Sequence, residues 1–361
     1  MKLSDCVKRN QKFTVGVFLG GASSEKEISL ESGRHIYNSL NRERYDVLPI
    51  FVDKDLSMYQ IAENMLWLNT TEDITREIEE ENIERIFYQQ IPNIIDFAFL
   101  GLHGKWVEDG ALQGLLELLS LPYNGAGVLG SSIGNDKYYQ RKLLKAYDIK
   151  TPKFYPVLKK DWQINKQKIV EMIESKFIYP MVSKPSREGC STAIAKVKTR
   201  EELKKGIEDA FVWDSLILVE EFIDAPEITC TVVGNDNKIR AFTPTQTPRK
   251  HDILTVEEKF LPGDASMLTP PPNMDKKTVE YIKTEFIKAY KALELSIYSR
   301  IDAFWKDNNL IILEPNTLPG VTPSTMVFHQ AAEEGLNPTQ FIDLIVDLSI
   351  ENYENNIGPK K

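Results

Sequence analysis

The chain has 361 residues, more than one ordinary core needs and enough for about two or three domains. Its 44 basic and 53 acidic side chains leave a net charge of −9, which argues against a general nucleic-acid binder but allows a local basic pocket for a small anion. The three cysteines (Cys6, Cys190 and Cys230) lack CxxC spacing and build no disulfide framework or zinc site, the 4 histidines are too few for a His-rich metal centre, and no apolar run nears the roughly 20 residues of a membrane span.

The opening MKLSDCVKRNQKF lacks the apolar core of a signal peptide, so the expectation is a cytoplasmic enzyme or binding protein. FTVGVFL, residues 13–19, reads as a buried strand, GGASS as a loop and EKEISLESGRHIYNSL as a helix, the opening of an α/β domain. A second strand is expected in YDVLPIFVD, a solvated helix over 71–85, a third strand over 95–100 and a helix over 111–119. PYNGAG reads as a turn cluster, and the Gly/Ser-rich GAGVLGSSIGN precedes a helix that opens near Asp136. The middle of the chain predicts strands at FIYPMVSKP, TAIAKV and SLILVEEFI, with a helix at REELKKGIEDAF. EITCTVVG and KIRAFTPT follow as strands, then an irregular stretch over about 244–273, long enough to suggest a lid. An amphipathic helix over 275–294 leads to two paired strands, SRIDAFW and LIILEPN. These patterns divide the chain into an N-terminal α/β domain (1–130), a central unit (131–224) and a C-terminal unit (225–361).

The last strand pair carries the chemistry. Side chains alternate along a strand, so Glu314 and Asn316 share a face, as do Arg300 and Asp302 one short hairpin upstream. Two carboxylates and an amide make an oxygen cage for Mg²⁺, and Arg300 opposes a phosphate or oxyanion beside it. Lys184 ends an apolar strand before a Gly-containing turn, and Lys137 opens a helix, placements that suit phosphate. Glu220 and Glu221 close a strand and Glu227 follows; such carboxylates accept from a ribose hydroxyl or adenine amino group. No Walker A loop is present.

GGASSEKEISLESG, LHGKWVEDGALQG, PYNGAGVLGSSIGNDK, KPSREGCSTAI, LVEEFIDAPEIT, RIDAF and LEPNTLPGVTPSTM occur in this order. In this the chain resembles the D-alanine–D-alanine ligase family of ATP-grasp enzymes over about residues 13–348. The resemblance implies a three-domain ATP-grasp fold with an N-terminal α/β domain and α+β architecture in the ATP-grasp part. It implies that one carboxylate takes the γ-phosphate of ATP to form an acyl phosphate, which the amine or hydroxyl of a second substrate attacks. It places Lys137 and Lys184 on the ATP phosphates, Glu220, Glu221 and Ile223 along adenine, Glu227 on the ribose and Lys259 in the lid near the γ-phosphate. Asp302, Glu314 and Asn316 hold a pair of Mg²⁺ ions (or Mn²⁺), and Arg300 with the backbone N–H of Gly320 forms the oxyanion hole. Glu25 takes the first substrate's ammonium with His103 nearby, while Phe260, Thr325 and Met326 fall at the second substrate.

The chain departs from the family pattern at Cys190 and Thr325, where Ser is usual, at Phe260, where Tyr is frequent, and at Val107, which replaces a Gly. Ser and Tyr there link the lid to the glutamate matching Glu25; Cys donates weakly and Phe not at all. The ATP and metal positions keep the pattern, and the departures gather around the second substrate. The substrates implied are D-alanine and a second D-amino or hydroxy acid, handled by a cytoplasmic homodimer. Two other readings stay open: a ligase for other amino or hydroxy acids in small-molecule biosynthesis, and an inactive nucleotide-binding regulator.

Overall fold

Three separate sheets organise the computed structural model, which describes residues 3–9, 11–189, 192–247 and 268–358. The first contains β1 (Phe13–Gly20), β2 (Tyr45–Val52), β3 (Met58–Gln60) and β4 (Phe97–Leu100) in the order β3-β2-β1-β4. β1 runs parallel to both β2 and β4, which is why its sequence is an almost unbroken apolar run. Helix α1 (Leu3–Lys8) precedes it; α2 (Lys26–Ser39) and α3 (Thr71–Glu80) follow, the latter started by a reciprocal capping box between Thr70 and Asp73. α4 (Ala111–Leu118), α5 (Val128–Asn135) and α6 (Lys137–Ala146) then lead out of this region, with Asp136 capping α6.

The second sheet, order β5-β8-β6-β7, is antiparallel throughout: β5 (Phe154–Leu158), β6 (Met181–Pro185), β7 (Ala195–Val197) and β8 (Leu216–Glu221). Helices α7 (Lys159–Ile164), α8 (Lys166–Glu174) and α9 (Arg200–Ala210) belong to the same region, and α8 and α9 bury Val170, Ile173, Leu203 and Ile207 in its core. The third sheet runs β10-β9-β12-β13, with β11 also on β9. Its strands are β9 (Glu227–Val233), β10 (Arg240–Ala241), β11 (Thr245–Thr247), β12 (Tyr298–Lys306) and β13 (Asn309–Asn316). α10 (Lys276–Ala292) buries Ile282, Phe286 and Ala289 against it. α11 (Met326–Glu333) and α12 (Pro338–Asn352) close the chain, and Phe341, Ile345 and Val346 of α12 share one core with Val15, Leu19 and Phe97 of the first sheet.

Expectation and structure differ at several points. KIRAFTPT is two short strands rather than one, since Pro244 has no N–H to extend a ladder. FIYPMVSKP is strand only from Met181, just after Pro180, for the same reason. No expectation covered α11 and α12. Of the stretch read as a lid, residues 248–267 lie outside those described; its flanks meet in a bridge between Gln246 and Leu268 and a hydroxyl contact of 2.6 Å between Thr245 and Thr269.

No expectation covered α5 either, a helix within the Gly/Ser-rich stretch before α6. Packing overrides propensity here. A Cβ on Gly130 would stand 2.5 Å from the backbone carbonyl oxygen of Glu294, so α5 lies against the end of α10 more closely than any side chain permits. Gly130→Ala is therefore expected to destabilise the protein by about 1–3 kcal/mol, although the same change in an exposed helix stabilises by about 1 kcal/mol. Urea unfolding gives the sign, and a stabilised variant contradicts the close packing.

Candidate active site

The β12–β13 hairpin sets Asp302 opposite Glu314 and Arg300 opposite Asn316, with a bulge between Asp302 and Ala303. The Arg300 guanidinium meets Asp302 through two bonds, Nε to Oδ1 and Nη2 to Oδ2, each 3.0 Å. The Asn316 amide donates to Asp302 Oδ2 at 3.1 Å, and the Thr229 hydroxyl on β9 donates to Oδ1 at 2.6 Å. Arg300 and Asp302 are buried; burial opposes the arginine's charge, and Asp302 outweighs it, raising Arg300 above its ordinary value. Glu314 reaches from the neighbouring strand to within 3.3 Å of Lys137 Nζ.

Lys137 is the first residue of α6, and its ammonium donates to the Glu188 carbonyl at 2.7 Å. Lys184 on β6 points into a buried ion-pair group: its Nζ lies 2.7 Å from Glu220 Oε2, while Arg141 approaches Glu220 Oε1. Burial pushes the Lys184 ammonium below the ordinary lysine value, against the pull of Glu220. Burial also works against ionisation of Glu220, yet Arg141 and Lys184 hold that carboxyl below its usual range. Glu221 turns outward and accepts from the Lys153 N–H at 2.9 Å, Ile223 is buried, and Glu227 begins β9.

Glu25 stands at the N-terminus of α2. His103, just beyond β4, is buried with Nε2 2.8 Å from the Ser32 hydroxyl and Nδ1 3.6 Å from Glu108. Glu25, His103, Lys137, Arg300, Glu314, Asn316 and Gly320 all line one narrow cleft, partly open to solvent. Lys184, Glu220, Glu221, Ile223, Glu227, Asp302, Thr325 and Met326 are not in its wall, Asp302 being covered by Arg300, Asn316 and Thr229. Thr325 and Met326 lie buried at the start of α11, where the Thr325 hydroxyl donates to the Thr322 carbonyl at 2.8 Å. Cys190, Lys259 and Phe260 lie outside the described residues.

Among the described residues no cluster of three or more His, Cys, Asp or Glu side chains has metal-binding spacing. The hairpin instead offers the carboxylates of Asp302 and Glu314 with the amide of Asn316. Such an all-oxygen donor set fits Mg²⁺, which binds through one or two carboxylates and fills its shell with water and phosphate oxygens.

A family model for the D-Ala D-Ala ligase N-terminus matches residues 14–126, and one for the D-Ala D-Ala ligase C-terminus matches residues 143–347. The chain belongs to the D-alanine–D-alanine ligase family. It is 36% identical to the D-alanine–D-alanine ligase of Borrelia recurrentis (strain A1), across 94% of this chain and 95% of that protein. Among solved structures it is similar to the VanG D-Ala:D-Ser ligase of Enterococcus faecalis, with TM-score 0.80, 28% identity, and coverage of 94% of this chain and 100% of that one. It is also similar to the D-alanine–D-alanine ligase of Bacillus anthracis complexed with ATP, with TM-score 0.71, 26% identity, and coverage of 95% and 99%. The three sheets are thus those of an ATP-grasp ligase, and the family uses ATP.

Sequence reasoning missed several residues that this ligase brings to the site. Thr229 touches Asp302, yet threonine in an apolar strand is unremarkable; only the β9–β12 register, which sets Thr229 opposite Asp302, reveals it. Glu108 stands in a motif quoted for the family but carried no assigned role. Arg141 follows Lys137 by one helical turn, so the i, i+4 relation was the available signal.

Proposed function

We propose that this ligase joins D-alanine to a second D-alanine at the expense of ATP, with Mg²⁺ at Asp302, Glu314 and Asn316. The observation that carries the reading is the convergence of Arg300, Glu314, Asn316 and Lys137 in one cleft that Glu25 and His103 also line, with Asp302 buried directly behind Arg300 and Asn316 on the same hairpin. Phosphoryl transfer to a carboxylate needs positioning and charge neutralisation more than a strong base. Glu25 and His103 hold the first D-alanine with its carboxylate toward the phosphate site. Lys137 and Lys184 draw charge from the phosphates. Asp302, Glu314 and Asn316 would hold Mg²⁺, which would supply Lewis-acid polarisation of the transferring phosphoryl group. The carbonyl of the acyl phosphate then meets the second amine, and Arg300 with the Gly320 N–H takes the developing oxyanion as phosphate leaves. Glu220 lies behind Lys184, and Glu221, Ile223 and Glu227 continue toward the adenosine side. The three sheets support a division into domains at about residues 130 and 224.

The role that follows is cytoplasmic synthesis of a peptidoglycan precursor. A homodimer is part of the proposal; exposed Leu118 on α4 and Leu129 on α5 offer apolar surface for it. The test is mass spectrometry of products from ATP, Mg²⁺, D-alanine and a pool of D-alanine, D-lactate and D-serine. Phosphate release is expected to require D-alanine, and D-alanyl-D-alanine is expected to dominate. Phe260 in place of Tyr leads us to expect a D-lactate product that grows as pH falls and less amine is free. ATP hydrolysis independent of D-alanine, with no condensed product, overturns the reading.

A further inference from the structure

Arg141 has no place in the reaction as described, yet it is 0% exposed. A buried guanidinium is costly unless its donors are satisfied. Its Nε lies 3.1 Å from Glu220 Oε1, and its Nη2 lies 3.0 Å from the same oxygen without a well-aligned hydrogen bond. Its Nη1 donates to the Leu313 carbonyl and stands 3.5 Å from that of Ile312.

These partners belong to different sheets: Glu220 ends β8 of the second, and Leu313 lies in β13 of the third. Arg141 itself sits on α6, whose first residue is Lys137. The other oxygen of Glu220 holds Lys184, and Leu313 is followed directly by Glu314, which faces Lys137. One planar fork therefore joins the segments that carry both lysines and the Glu314 carboxylate. A lysine ammonium has the charge but not the fork geometry for both partners.

We propose that Arg141 is a positioning residue that fixes the spacing between the Lys184–Glu220 pair and the strand carrying Glu314, so that nucleotide and cation bind as a unit. The inference rests on the ATP-ligase reading of the site. Arg141 touches neither substrate nor cation; it acts through Glu220 and through the backbone of Leu313.

The test uses Arg141→Met and Arg141→Lys in the full chain. Calorimetry measures binding of a non-hydrolysable ATP analogue, first at saturating Mg²⁺ and then across a Mg²⁺ titration, with thermal melting as a fold control. Losing hydrogen bonds to a charged group should weaken analogue binding about tenfold or more in Arg141→Met and raise the Mg²⁺ midpoint as much. Arg141→Lys should recover the analogue affinity while its Mg²⁺ midpoint stays high, because an ammonium that keeps Glu220 releases the Leu313 carbonyl. If Arg141→Met does not fold, this split in Arg141→Lys decides alone. Folded variants within about twofold of the parent in both titrations overturn the proposal, even where they melt earlier. A parent that binds the analogue but makes no dipeptide sinks the ligase reading and leaves the Arg141 result standing; a parent that binds no analogue overturns both.

Discussion

Glu314→Gln is expected to lose about 100-fold or more in kcat while keeping its fold, since every 1.36 kcal/mol added to the barrier is about tenfold and a cation held less well gives up part of the several kcal/mol of charge stabilisation it would supply. Glutamine keeps the shape of the side chain and the strand register. It loses the negative charge that faces Lys137 at 3.3 Å and that stands opposite Asp302 on the hairpin. The Mg²⁺ concentration for half-maximal rate should rise with the fall in kcat, and far-ultraviolet circular dichroism should be unchanged. A folded Glu314→Gln protein with near-parental kcat and Mg²⁺ dependence removes this residue from the metal site.

Arg300→Ala carries the second large effect, and here the structure adds to what the sequence suggests. An oxyanion donor acts mainly in the transition state, so its loss should cost roughly 3 kcal/mol in kcat, about 100-fold, with a smaller change in KM for ATP. The two-bond pairing with Asp302 means that removing the guanidinium also strands a buried carboxylate. Breaking one side of a buried pair costs about 3–5 kcal/mol of stability. Arg300→Ala should therefore melt earlier as well as turn over slowly. Arg300→Lys separates the two effects: it keeps a cation beside Asp302 but loses the fork, so the fold should recover more than kcat does. A change confined to KM for ATP means that Arg300 serves only ground-state binding.

How much of this was legible in the sequence depends on the range of the interactions involved. β1, β2, α2, α9, α10 and the β12–β13 hairpin follow from periodicity and turn residues, because their signals are local. The shared face of Arg300 and Asp302 follows from strand alternation, and the pairing of Asp302 with Glu314 from the shortness of the hairpin. α5 could not be read locally, since Gly130 makes room for the backbone of Glu294 and Gly134 for the side chain of Thr317, both far along the chain. Thr229 and the Glu220 and Leu313 partners of Arg141 escaped for the same reason: they lie on other strands, at separations that a single sequence does not encode as a pattern. Glu220 is intermediate. Its place at a strand end was legible, but its burial between Arg141 and Lys184 was not.

The shared core of α12 and the first sheet bears on how the chain is born. Val15 and Leu19 are made more than 300 residues before Phe341, Ile345 and Val346, which share their core. Through most of synthesis the first sheet must wait with apolar surface uncovered, a state that invites off-pathway association. The second sheet has no such debt, because α8 and α9 that fill its core lie within the same stretch of chain. Local contacts form faster than distant ones. The second sheet can thus fold while the first is still waiting for residues made much later.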